Sequence, residues 1–190
     1  MVSEFFEFRT VWRVPGTIAE VADILGDAAT LPRWWPSVYL AVEQGSVGDS
    51  DGVGSTFTLY TKGWLPYTLR WTLTVTEPLS ETGFALTARG DLTGGGQWQF
   101  EQDGPETVVT YDWRVTFDKA WLRRFVPVFR PVFAANHRWA MARGEESLRL
   151  ELRRRRVTSP AARQLIPRPP GPTFRRRRGR ATSGRSDVEL

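Results

Sequence analysis

Cysteine is absent from the 190 residues. That excludes disulfides, thiolate metal sites and a cysteine nucleophile. Histidine occurs once, as His137, so neither a histidine pair nor a Cys–His dyad can be assembled. A transition-metal site would need carboxylates gathered around that one histidine, and no spacing points to one; no metal is expected. No Walker A sequence occurs, and Gly52-Val53-Gly54 stands between strand patterns rather than between a strand and a helix, so no nucleotide cofactor is expected either. No serine has the strand-to-helix setting of a nucleophile elbow. No apolar run reaches the length of a membrane span. The N-terminus enters a strand pattern directly, without the basic and apolar regions of a signal peptide, and a cytoplasmic location is expected.

Aromatic residues are plentiful: 9 Trp, 4 Tyr and 11 Phe, with 41% of the chain hydrophobic. Nearly all of them precede residue 153, with Phe174 the exception. Charge divides at the same place. Residues 153–190 hold 12 arginines and 2 acids, whereas residues 1–152 hold 14 Lys+Arg and 19 acids. The basic pI therefore belongs to the tail, and it is no sign that the body binds nucleic acid. The chain divides into one domain over 3–152 and a Pro/Arg-rich segment over 153–190. That segment, with its five prolines and Arg175–Arg178, is expected to be a structureless, solvated tail. A sharper reading makes the tail a contact for an anionic membrane or for nucleic acid.

Phe6, Phe8, Trp12 and Val14 alternate with polar residues, as in a half-buried strand. Thr17 and Glu20 have capping-box spacing ahead of a helix carrying Ile18, Val21, Ala22 and Leu25. Residues 30–36 then predict a second short helix or turn. Six strands follow, around Val38–Gln44, Gly54–Lys62, Tyr67–Thr76, Phe84–Ala88, Trp98–Phe100 and Val109–Phe117, with Gly94-Gly95-Gly96 read as punctuation between two of them. Helical spacing returns only from Asp118. Pro127 and Pro131 predict a short turn over 119–126, a break, and a main helix from Pro131 to Leu152, roughly 33 Å long. Phe129, Val132, Phe133, Asn136, Ala140, Gly144 and Leu148 mark its buried face. Gly144 costs about 1 kcal/mol relative to alanine in a helix and is read as a point of close packing. Strands in a meander with helices segregated to one side predict an α+β fold.

This order of elements resembles the helix-grip fold of the START/Bet v 1-like superfamily, and in particular SRPBCC proteins of polyketide cyclase/dehydrase type. Residues 31–39 (Leu-Pro-Arg-Trp-Trp-Pro-Ser-Val-Tyr), 61–67 (Thr-Lys-Gly-Trp-Leu-Pro-Tyr) and 136–146 (Asn-His-Arg-Trp-Ala-Met-Ala-Arg-Gly-Glu-Glu) carry the likeness. The resemblance implies a curved antiparallel seven-stranded sheet around a long C-terminal helix, with two short helices after the first strand. It also implies a cavity between sheet and helix for a hydrophobic small molecule such as a lipid or polyketide. Two alternatives accompany it: aromatic ring closure or dehydration of a polyketide, and a membrane-peripheral or regulatory module working through the basic tail. The oligomeric state is left open.

The cavity would be lined by Phe8, Trp12, Tyr39, Phe57, Leu59, Tyr67, Leu69, Trp71, Trp98, Trp113, Phe129, Phe133, Asn136, His137 and Ala140, unless these rings simply fill the core. For the strand over 54–62 the inner face is ambiguous, because Phe57 and Tyr60 lie on opposite sides. Trp34, Trp35, Trp64 and Leu65 are the entrance candidates, as a lid over the cavity mouth; a membrane-docking or dimer surface and ordinary packing against the helix are the other two accounts. If the protein is an enzyme, His137, Tyr67 and Tyr39 are the candidates for proton transfer.

Overall fold

A computed structural model describes residues 6–117 and 120–173, excluding the side chains of 117 and 120–129. Seven strands form one antiparallel sheet: β1 (Phe6–Pro15), β2 (Tyr39–Gln44), β3 (Thr56–Lys62), β4 (Thr68–Ser80), β5 (Gly83–Gly90), β6 (Leu92–Asp103) and β7 (Glu106–Phe117). Their order is β1-β7-β6-β5-β4-β3-β2. The six later strands follow one another as hairpin neighbours. The first strand closes the far edge by pairing with the last, with Phe8 opposite Trp113 and Trp12 opposite Val109.

Side chains alternate across a strand, and the apolar set lies on one face throughout. Trp12 and Val14 on β1, Trp71 and Leu73 on β4, Leu86 and Ala88 on β5, Trp98 and Phe100 on β6, and Val109 and Val115 on β7 are all buried. On β3 the ambiguity is resolved by burial, since Leu59 is fully enclosed while Tyr60 is 42% exposed. Phe57, Leu59 and Thr61 therefore face inward. β2 needs a further device. Tyr39 pairs with Thr61 and Val42 with Leu59, and the register shifts between Tyr39 and Ala41. Strict alternation would put residues 39 and 42 on opposite faces. The bulge turns both toward the interior.

Gly94-Gly95-Gly96 lies within β6 and not between strands; these glycines pair with Ala88, Thr87 and Leu86 of β5. The reason is crowding from β7. A Cβ on Gly96 would come within 2.6 Å of both the Trp113 ring and the Tyr111 hydroxyl. Glycine here makes room for two aromatic rings on the inner face.

Helix α1 (Ile18–Leu25) starts at the expected capping box: Glu20 N–H donates to Thr17 Oγ1 at 3.3 Å and Thr17 N–H donates to Glu20 Oε2 at 2.9 Å. A 3-10 turn (Ala28–Thr30) leads into α2 (Leu31–Trp34). These elements bury Val21, Ile24, Leu25, Leu31 and Trp34 over the sheet.

Helix α3 (Ala120–Arg156) is one continuous element of 37 residues. The break expected at Pro127 and Pro131 is not there. Each proline deletes one backbone donor. The two stand four residues apart, so both losses fall on the same side of the helix and the opposite side stays fully bonded. Phe133, Met141, Ser147, Leu148, Glu151 and Leu152 are buried. This stripe lies against the inner side of β1 and β7 and extends beyond the one read from spacing.

Residues 153–173 depart from the expected structureless tail. The helix runs on to Arg156, α4 (Pro160–Gln164) follows, and Ile166 is 8% exposed. Arg156 explains the continuation. Its guanidinium donates to both carboxylate oxygens of Glu20, at 2.7 and 2.8 Å, and to the Pro15 carbonyl at 2.9 Å. The last turn of α3 is thereby fastened to the start of α1. Among the described residues no helix is long and apolar enough to cross a membrane.

Candidate functional site

Two chambers lie on the inner side of the sheet. One, of about 130 Å³, lies under α3 and is lined by Phe8, Tyr67, Leu69, Trp113, Phe133, Asn136, His137 and Ala140 among others. The second, of about 160 Å³, lies toward α1 and includes Phe57, Trp71, Phe84 and Trp98. Trp35, Tyr39 and Tyr111 line both chambers and form the partition.

The partition is held by packing. The Trp35 ring lies 5.1 Å from Tyr39, 5.6 Å from Trp12 and 5.4 Å from Trp34. Tyr111 stacks on Trp98 at 3.9 Å. Behind Trp35 stands Gly144, where an added Cβ would come within 2.3 Å of the indole. The mid-helix glycine is thus a seat for Trp35. Trp34 and Trp35 were expected at the entrance and are instead interior, 0% and 2% exposed. The proline-flanked helix α2 turns its apolar residues down into the core.

Trp64 and Leu65 occupy the β3–β4 hairpin tip, with Trp64 37% exposed. A bond that periodicity does not reveal fastens this tip. Asn136 Oδ1 on α3 accepts from the backbone N–H groups of Trp64 and Leu65, at 2.9 and 3.3 Å. Asn136 therefore holds the hairpin against the helix as well as lining the chamber.

Of the other expected residues, Trp12 and Leu59 line neither chamber and are core, 2% and 0% exposed. The Phe129 side chain lies outside the described residues. Sequence reasoning missed Tyr111, Thr61, Lys62 and Met141. Tyr111 had a usable signal, because it shares strand parity with Trp113. Lys62 had none, since lysine at the end of a strand ordinarily points to water, yet here it is 8% exposed.

The imidazole and the phenols of the chamber under α3 are held neutral. His137 stacks on Phe8 at 4.1 Å. Burial, and then the nearby Arg138 charge, lowers its pKa to about 4. Its Nε2 is buried without a hydrogen-bond partner among the described residues. Burial raises the Tyr67 phenol to about 12 and pushes Tyr39 and Tyr111 well above the ordinary phenol value. All three phenols stay protonated at neutral pH and can donate hydrogen bonds. No carboxylate lines the chamber with His137 among the described residues, so no acid there would hold the imidazole charged.

The fold is that of the Zhui aromatase/cyclase from Streptomyces sp. R1128, at a TM-score of 0.64 and 15% identity, covering 82% of this chain and 98% of that one. Norcoclaurine synthase from Thalictrum flavum, solved with dopamine and hydroxybenzaldehyde, matches at 0.54 and 14% identity, covering 82% and 90%. The di-domain aromatase/cyclase StfQ of the steffimycin biosynthetic pathway matches at 0.59 and 16%, with 80% of this chain spanning 51% of that one. At these identities the likeness is one of fold. A comparison with curated proteins returned no match. The family described as polyketide cyclase / dehydrase and lipid transport matches residues 6–152, which include every strand, the partition and both chambers, and the chain belongs to that family.

Proposed function

We propose that the protein binds a planar, mainly apolar small molecule, lipid-like or polyketide-like, between the sheet and α3. The observation that carries this reading is the chamber under α3: aromatic walls, protonated phenols and the buried, unpartnered Nε2 of a neutral His137. Such walls supply apolar area, and the few polar atoms orient the guest. Chambers of about 130 and 160 Å³ are each smaller than the roughly 300 Å³ at the low end of ligand sites. A ligand of ordinary size therefore occupies both and moves the Trp35–Tyr39–Tyr111 partition aside.

Cyclisation or dehydration is the second reading, and the same Nε2 favours it, since an unprotonated imidazole can accept a proton. A base with a pKa near 4 is weak at neutral pH, and binding is the reading better supported. Native mass spectrometry of the full chain, incubated with a cell lipid extract and separately with aromatic polyketides, tests both. A stoichiometric adduct with a raised Tm is expected, and His137→Phe should weaken it without abolishing it. Turnover of a polyketide that His137→Phe removes would replace binding by catalysis. No adduct and no Tm shift with either class would overturn the proposal.

A further inference from the structure

Larger than either chamber is an open groove of about 1160 Å³ on the outer side of α2, bounded by the end of α3, α4 and residues 166–172. Five arginines line it, namely Arg33, Arg154, Arg155, Arg163 and Arg168, against two acids, Asp27 and Glu151. Glu151 is 5% exposed and lies beneath three of the arginines, with Arg33 at 2.9 Å, Arg155 at 3.3 Å and Arg154 at 3.8 Å. One carboxylate cannot neutralise three guanidiniums, although Arg155 also meets Asp23. Arg163 and Arg168 are exposed and meet no carboxylate among the described residues. The groove keeps a net positive charge, and its buried acid positions the cations.

Three further observations indicate what it meets. Leu165, at the end of α4 beside Arg163, is 84% exposed, more than any other large hydrophobic described. The described lining ends at Pro172, and the sequence continues with Arg175–Arg178, Arg180 and Arg185 before two acids, Asp187 and Glu189. Phe174 is the one aromatic after residue 152, so a base-stacking platform is lacking. Clustered arginines around a protruding leucine suit a surface that is anionic outside and apolar beneath.

We infer that this groove and Leu165 form a docking face for an anionic lipid surface, with the arginines on the headgroup phosphates and Leu165 entering the acyl boundary. The inference is independent of what the cavity holds, because no groove residue lines either chamber. Docking here sets α2 against the membrane. The opposite side of α2 carries Leu31, which together with the neighbouring Trp35 bounds the chamber toward α1.

Co-flotation of the full chain with vesicles tests the inference, comparing phosphatidylcholine alone with phosphatidylcholine carrying phosphatidylglycerol. Binding is expected only to the anionic vesicles and should be reversed by high salt. The double variant Arg163→Glu/Arg168→Glu should lower it by at least about tenfold, through two charge reversals at an anionic surface. Leu165→Ser should lower it by about threefold or more. All three side chains are exposed, and the milder pair Arg163→Gln/Arg168→Gln should give a smaller loss in the same direction. Equal binding to both vesicle types would overturn the inference. So would a charge-reversed variant that binds like the parent, which would assign binding to residues after 173. Preferential binding of duplex DNA with the same arginine dependence would assign the groove to nucleic acid instead.

Discussion

His137 illustrates how one side chain couples the cavity to the stability of the whole domain. Burial holds its folded pKa at about 4, against about 6.5 in an unfolded chain. Between those values the unfolded state binds more protons, so stability is complete above pH 6.5 and falls as the pH drops toward 4. The full span corresponds to about 3 kcal/mol. Glu20, whose hydrogen bonds from Arg156 and Thr17 lower it from 4.5 to about 2, changes stability in the same direction but only below pH 4.5. Urea unfolding between pH 4.5 and 6.5 therefore isolates the histidine. The parent should lose stability on acidification across that window, and His137→Phe, which keeps a ring against Phe8, should be nearly flat. An unchanged slope in the variant would show that His137 is not the titrating group.

Among the elements, α3 carries the tightest fit. Intrinsic propensity says that Gly144→Ala should stabilise the helix by about 1 kcal/mol. Tertiary packing says the reverse. The new Cβ would meet the Trp35 indole at 2.3 Å, and that ring cannot swing away freely because Trp12, Trp34 and Tyr39 surround it. Overpacking of this kind costs about 1–3 kcal/mol, so Gly144→Ala should lower stability on balance. It should also shift the tryptophan fluorescence, since the partition has to move. A stabilised variant with unchanged emission would mean that Trp35 yields easily and that the partition is soft.

At the scale of the molecule, the end of α3 decides where the domain stops. The family match ends at residue 152, the same point at which sequence composition changes. Yet Arg156 binds Glu20 and the Pro15 carbonyl, and Arg155 meets Asp23. A chain ended after Leu152 loses these ties, together with the burial of Ile166. It should unfold about 3–6 °C below a chain ended after residue 173, the equivalent of about 1–2 kcal/mol for partly exposed ion pairs. Calorimetry of the two truncations, with equal Tm values as the contrary result, measures this.

Sequence alone determined the architecture. Alternating apolar residues specify which face of each strand is buried, the Thr17–Glu20 box specifies where α1 begins, and the order of elements specifies a sheet with a long helix against it. Half of the site was legible in the same way, because Phe8, Tyr67, Leu69, Trp113, Phe133, Asn136, His137 and Ala140 share the inner face that periodicity picks out. Tertiary structure decided the rest. Trp34 and Trp35 look like exposed loop aromatics until α2 is seen to fold them beneath α3. Lys62 looks solvated yet lines the chamber under α3 at 8% exposure, and Asn136 reaches backbone N–H groups on another element. The prolines of α3 read as a break, and the arginines after Leu152 read as a free tail. Both lost donors lie on one side of the helix, so it runs through the first, and salt bridges to α1 seat the start of the second. Periodicity reports which way a side chain faces; which distant group it then meets depends on how the sheet curves and where the helix lies.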